Sequence, residues 1–239
     1  MLTIKEQYIK SGTQRRSGIK MKKVTFFVDH DTGNPGSTAQ NNADYYCRTC
    51  DEMSASAHAF IDDKVVILCV PCYKGNKEKA WHVRYDKPQD NAIYGVDAND
   101  EALGFELCYF PGDVARCKKA YENYIEFAAM MCIEHGVSAT KRSGHFELDP
   151  ERRSDPNNAL KYIGKTYADM QKDIAKKVGE VDMEIKKLKI KLNGNIKEVN
   201  AINIEGNNYV KLQDLKDHYI DVSYDNGLKM PDIDSRAAR

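Results

Sequence analysis

The sequence has little that would commit it to a partner through bulk charge or to a lipid phase. Its 36 Lys and Arg balance 36 Asp and Glu, so no overall field draws it to nucleic acid or to an anionic membrane, and neither is expected as a partner. Long hydrophobic runs are missing. Val65 to Pro71 is among the longest, far short of the ~20 residues that a membrane-spanning helix needs. The N-terminus, MLTIKEQYIKSGTQRRSGIKMKK, is basic and lacks the apolar stretch of a secretory signal. Cysteine is absent from the first 46 and the last 107 residues. The seven present, at 47, 50, 69, 72, 108, 117 and 132, are odd in number, which excludes complete internal pairing and points to a reducing compartment. Low-complexity tracts and internal repeats are also lacking. What is there is 41% hydrophobic content over 239 residues, enough for one medium domain and something small beside it.

Residues 1–20 read as an arm ahead of the first core strand. The run from Lys23 to Asp29 is β-branched and aromatic and ends in DTGNPGS, so a central strand is expected to run into a loop with His30 at its end. Thr38 to Cys50 has helical spacing. Ser54–Ile61 and Val65–Val70 resemble the two strands of a hairpin, and Leu103–Tyr109 a further strand. Asp113 to His135 carries Ala120, Tyr124, Phe127, Ala128 and Met131 on one face, with Gly136 placed to end the helix. This order predicts an α/β fold with a mixed central β-sheet flanked by helices and ending near residue 165. From Tyr167 to Leu188, Met170, Ile174, Val178, Val181, Ile185 and Leu188 form an apolar stripe on a charged helix, a helical connector over 166–190. The last 49 residues, 191–239, hold strand-like fragments separated by NG, GNN and DNG, a small β-rich C-terminal module.

Hydrolytic zinc sites use three protein ligands, commonly imidazole nitrogen and carboxylate oxygen, and keep one position open. His30, His145 and Asp155 are of the right type. Their spacing alone equally permits a satisfied loop histidine at 30 and an Asx turn at Asp155.

Five segments carry a resemblance: FFVDHDTG at 26–33, SASAHAFID at 54–62, AWHV at 80–83, ALGFELC at 102–108 and GHFELDPERRSDPN at 144–157. In this order they resemble the zinc-dependent N-acetylmuramoyl-L-alanine amidases, the phage-lysozyme-like and peptidoglycan-recognition group of cell-wall amidases, over about residues 22–160. The resemblance implies a catalytic domain at 21–165, one catalytic Zn2+ on His30, His145 and Asp155, and bacterial peptidoglycan as substrate. It implies Glu106 as the proton-accepting carboxylate, against the plain reading of a glutamate on an edge strand. Arg153 stands where the family commonly has lysine and is expected to stabilise an oxyanion by its fixed charge. His58 would polarise the scissile carbonyl or hold the leaving group. Trp81 and His82 resemble a groove-wall pair that contacts substrate, and Thr32 and Asn34 follow the first ligand in a loop that would line the same groove. Without a secretory signal, the resemblance implies a phage or prophage endolysin, held in the host bacterial cytoplasm until lysis and then acting at the cell wall. The rival within the group is a non-catalytic peptidoglycan-binding protein.

Cys47-x2-Cys50 and Cys69-x2-Cys72 have the spacing of a structural four-cysteine zinc site, which would make the chain a zinc adaptor or add a second ion. Against this, Cys47 falls in a helix and Cys69 in a strand, whereas such ligands normally sit on tight turns; buried free thiols are the expected state. The stretch from IKLNGNIKEV to NNYVKLQDL resembles the small module named after the N-terminal domain of copper amine oxidase. That resemblance implies wall attachment or pairing, with the chain a monomer or a dimer through this region.

Overall fold

The computed structural model describes residues 2–183, 185–192, 195–204, 207–210, 212–216, 220–225 and 230–235. The chain divides into two units, Met1–Val178 and Gly179–Arg239. No helix among the described residues is long and apolar enough to cross a membrane.

The first unit is built on a six-stranded mixed sheet. Its strands are β1 (Ile4–Glu6), β2 (Phe26–Asp31), β3 (Ala59–Ile61), β4 (Val66–Leu68), β5 (Ala102–Leu107) and β6 (Arg142–Gly144), in the spatial order β1-β4-β3-β5-β2-β6. Strands β3, β5, β2 and β6 run parallel, and β4 turns back on β3 as the expected hairpin. All six residues of β2 are buried, as befits a parallel strand covered on both faces. Period-two alternation then sorts side chains. Phe27, Leu103, Phe105 and Leu107 join the main core, whereas Phe26, Val28 and Ala102 join a smaller cluster with Val83, Ala98 and Leu148. His30 and Glu106 continue the alternation of this second face, and they are register partners across β2 and β5.

Helix α1 (Ala39–Arg48) starts at Thr38, whose hydroxyl accepts from Asn41 N–H in a capping box. Short helices α2 (Gln89–Tyr94) and α3 (Ala98–Glu101) precede β5. The long helix α4 (Val114–His135) is capped by Asp113 and ends at Gly136 with φ 63°, a left-handed conformation that glycine adopts without Cβ strain. Its expected face is the buried one: Ala120, Tyr124, Phe127, Ala128 and Met131 all lie in the core, with the Phe127 ring edge-on to Phe105 at 5.0 Å. Helices α5 (His145–Leu148), α6 (Asn157–Leu160) and α7 (Tyr167–Met183) follow.

Three boundaries differ from the sequence reading. The arm at 1–20 is part of the domain: Ile4–Glu6 pairs in parallel with Val66–Leu68 through main-chain groups, a pairing that polar side chains do not advertise. Arg15 is fully buried, donating to the carbonyls of Thr49 and Ala55 and lying over the Tyr46 ring. Arg16 clasps Glu78 at 2.7 and 3.1 Å. The domain does not end at 165 either, because Tyr167, Met170 and Ile174 of α7 are core residues of the first unit. Finally, Ile185 and Leu188 are not helical. They belong to β7 (Ile185–Leu192), where Leu188, Ile190 and Leu192 alternate with lysines and the strand pairs with its neighbour over eight positions.

Asp29 forms a buried node on the α4 face. Its two carboxylate oxygens accept from Tyr124 of α4 (2.7 Å) and Tyr167 of α7 (2.9 Å), and the Arg142 guanidinium lies 3.7 Å away. No nitrogen of that guanidinium has a hydrogen-bond partner among the described residues, so Asp29 is its charge compensation. Asp29→Asn is expected to cost about 3–5 kcal/mol, the penalty for orphaning one member of a buried ion pair; chemical denaturation measures it.

The second unit, described by itself, has a three-stranded antiparallel sheet, β7 with β8 (Asn195–Ile204) and β9 (Asn207–Val210), and a two-stranded one, β10 (Ile220–Asp225) with β11 (Met230–Ser235). Val199 and Ala201 are buried. The expected turns at Asn193-Gly194, Gly206 and Asn226-Gly227 lie outside the described residues.

Candidate metal centre

The parallel strands β2, β5 and β6 deliver their last residues to one edge of the sheet, the usual place for a site in such sheets. His30 is the fifth residue of β2. His145 comes directly after β6, whose Gly144 pairs with Asp29, so the two histidines continue adjacent strands. Gly144 has no room for a Cβ, which would meet Phe146 at 2.6 Å and Pro156 at 3.1 Å. Asp155 returns to this point on the loop after α5, with its carbonyl accepting from Phe146 N–H at 3.1 Å.

The three side chains converge. His30 Nδ1 lies 3.0 Å from His145 Nδ1 and 3.0 Å from Asp155 Oδ2, and His145 Nδ1 lies 3.1 Å from the same oxygen. Among the described residues this is the one group of His, Cys, Asp or Glu able to hold a metal ion. Donors at about 2.0–2.2 Å from a tetrahedral zinc are themselves about 3.3 Å apart, so the triangle has the right size. All three residues are buried. Burial would raise the Asp155 carboxyl, but hydrogen bonding with His145 and His30 holds it well below the usual range. Burial pushes the His145 imidazole down to about 4. Burial also works against charge on His30, but Asp155 and Glu106 outweigh it and raise its pKa.

Glu106 sits beside the triad, on a central strand rather than an edge. Its Oε2 is buried without a hydrogen-bond partner among the described residues, and burial pushes the carboxyl up to about 8, with the charge of His30 working the other way. A cleft of about 710 Å³ opens over these groups, lined by His30, Glu106, His145 and Asp155, by Thr32, Trp81 and His82, and by Arg152 and Arg153. Asp149, fully buried, shapes the loop that carries the arginines. Its carbonyl accepts from the Arg152 and Arg153 N–H groups, and its carboxylate pairs with Arg152 and with Lys87 at 3.3 Å.

Eight of the ten residues singled out in the sequence therefore line one cleft; His58 and Asn34 do not. The His58 ring accepts from Gly104 N–H at Nδ1 (3.0 Å) and faces the Glu78 carbonyl with Nε2 (2.9 Å). Both nitrogens are committed to the backbone, and burial lowers its pKa to about 4, so a catalytic role is replaced by a structural one. Asn34 is exposed and turns its amide toward Asn42. His82 touches the cleft, but both its nitrogens are engaged within the protein, at 3.2 Å from His30 Nε2 and 3.2 Å from the Ala102 carbonyl; it has no polar atom left for substrate.

Tyr46 and Tyr85 also line the cleft, Tyr85 with its ring 6.2 Å from Trp81. Tyr46 has helical spacing with Ala39 and Ala43 and reads as core, because sequence period does not tell a buried face from one that borders a cavity. The cysteines form no second centre. All seven are free, Cys69 and Cys72 are packed in the core, and burial pushes both thiols up, away from the thiolate that zinc requires.

A mixed α/β domain thus brings two imidazoles and a carboxylate together beside the buried Oε2 of Glu106, a donor set of the kind that hydrolytic zinc sites use. The chain belongs to the N-acetylmuramoyl-L-alanine amidase family, whose model matches residues 20–158. A probable N-acetylmuramoyl-L-alanine amidase of Bacillus licheniformis is 29% identical over 154 residues, covering 62% of this chain and 41% of that protein. The amidase BlyA of Bacillus subtilis strain 168 is 31% identical over 116 residues, covering 45% and 30%. The matched region thus spans less than half the length of these relatives. The same fold occurs in the catalytic domain of XlyA, with TM-score 0.57 and 23% identity over 72% of this chain and 99% of that one. It occurs also in the Staphylococcus aureus hydrolase AmiA in complex with its ligand, with TM-score 0.59 and 20% identity over 76% and 85%.

Proposed function

We propose that the chain is a zinc-dependent peptidoglycan amidase that cuts the amide between the lactyl group of N-acetylmuramic acid and the L-alanine of the stem peptide, acting at the bacterial cell wall as an endolysin. The observation that carries this reading is the convergence of His30, His145 and Asp155 within 3.0–3.1 Å beside the buried Oε2 of Glu106. His30, His145 and Asp155 would hold the ion. Zinc in such a site lowers the pKa of water from about 15.7 toward 7 and polarises a carbonyl. Glu106, ionised, accepts the proton of the attacking water and returns it to the departing alanine amine. Arg153, exposed at the mouth of the cleft, sets a permanent positive charge where the carbonyl oxygen becomes negative. Trp81 and Thr32 offer an aromatic face and a hydroxyl to sugar or peptide. The second unit is assigned to wall attachment, which raises the effective concentration of a lytic domain on its polymer.

Mass analysis of digested peptidoglycan tests the reading. Free stem peptides beginning at L-alanine, released beside intact glycan strands, are expected. Cleavage within the glycan or within the peptide overturns the proposed bond, and wall binding without any release makes the chain a binding protein.

A further inference from the structure

His82 has no polar atom left for substrate, yet it is buried against a metal-ligand candidate, and its hydrogen-bond chain has a direction. The Ala102 carbonyl can only accept, so the imidazole nitrogen facing it, His82 Nε2, carries the hydrogen. In the neutral ring that leaves Nδ1 as a lone pair, which lies 3.2 Å from His30 Nε2. His30 must therefore carry a hydrogen on Nε2, so that in the neutral form that metal ligation requires its Nδ1 is the bare nitrogen. That bare nitrogen is the one 3.0 Å from both His145 Nδ1 and Asp155 Oδ2.

We propose that His82 is a positioning residue for the metal centre: by accepting from His30 Nε2–H it fixes the tautomer and ring orientation that aim His30 Nδ1 at the ion. This deepens the reading of the site as a zinc centre and rests on it. Two further residues serve the same arrangement. Asn99, buried, receives the His82 and Val83 N–H groups on Oδ1 at 2.8 and 3.1 Å and donates from Nδ2 to the Val83 carbonyl at 2.6 Å, which fixes the backbone carrying the ring. Gly104 of β5 leaves space for it. A Cβ there would lie 2.7 Å from His82 Cγ and Nδ1, and the backbone at 104 does not itself demand glycine. The glycine in ALGFELC is thus explained by the histidine of AWHV.

Four forms of the full chain test this: wild type, His82→Leu, His82→Asn and Gly104→Ala. Zinc affinity is read by competition with a chromogenic chelator, and the His30 tautomer by imidazole nitrogen NMR of the metal-free protein at a pH where that ring is neutral. Losing such a partner typically weakens metal binding by about 10–100-fold. That loss is expected for His82→Leu, which fills space without an acceptor, together with a mixed His30 tautomer. His82→Asn puts an amide oxygen near the position of Nδ1 and is expected to keep most of the affinity. Gly104→Ala is expected to behave like His82→Leu, and if the leucine variant does not fold, the alanine and asparagine variants carry the comparison. Equal losses for leucine and asparagine would show mere packing and overturn the inference, as would an unchanged His30 tautomer in His82→Leu. Failure of the wild type to take up zinc would instead overturn the reading of the site, and the NMR result would still decide whether His82 sets the tautomer.

Discussion

Glu106→Gln is expected to slow peptidoglycan cleavage by about 10²–10⁴-fold, the range associated with losing a positioned acid or base, while zinc uptake is unchanged. The substitution preserves shape and removes only the capacity to take and return a proton. The pH dependence carries a second signature. A base works in its ionised form, and burial pushes the Glu106 carboxyl from 4.5 up to about 8, so activity is expected to fall as pH drops. A divalent ion in the cleft favours the carboxylate and moves this acid limb to lower pH, between those two values. The glutamine variant should lose the limb along with the rate. In the metal-free protein the folded state binds the Glu106 proton more tightly than the unfolded chain, so this group's own contribution to stability is expected to decline as pH rises from about 4.5 to 8; it is read as the difference between wild type and Glu106→Gln, because the buried His58 and His145 contribute with the opposite sign. A glutamine variant with wild-type rate would remove Glu106 from the mechanism.

Chelation, or Asp155→Ala, is expected to bring activity to background and to lower thermal stability together. Without an ion, two imidazole nitrogens and a carboxylate oxygen crowd within 3.0–3.1 Å, an arrangement that a cation stabilises. At free zinc about 1,000 times its dissociation constant, binding adds about 4 kcal/mol to folding. At about 2–4 °C per kcal/mol for a protein of this size, the melting temperature should drop by roughly 8–16 °C on chelation. Calorimetry with and without chelator measures this, and added zinc should restore the wild type but not Asp155→Ala. If chelator leaves both melting and wall cleavage untouched, the donor triangle is no metal centre.

The candidate ligand set comes from the resemblance carried by FFVDHDTG and GHFELDPERRSDPN, because spacing alone leaves His30, His145 and Asp155 open, and the fold brings the three donors together. Glu106 was legible from its strand, although its central position was not, since strand order is set by long-range pairing. His82 lines the expected cleft, with both ring nitrogens engaged within the protein rather than open to substrate. The position of its ring depends on register between β2 and β5 and on the missing Cβ of Gly104, neither of which local spacing encodes. Ile4–Glu6 escaped notice because an edge strand held by main-chain bonds needs no apolar alternation. Leu188 reads as helical because spacings of three and four persist by chance into Ile185–Leu192, where the period of two decides.

The node at Asp29 bears on how short a working version of this protein can be made. Cutting the polypeptide after Gly164, near the domain end expected from the sequence, would delete the phenol of Tyr167 from the carboxylate next to His30 in the chain and strip Met170 and Ile174 from the core. A minimal version must therefore retain the helix through residue 178, although that helix supplies no atom to the cleft.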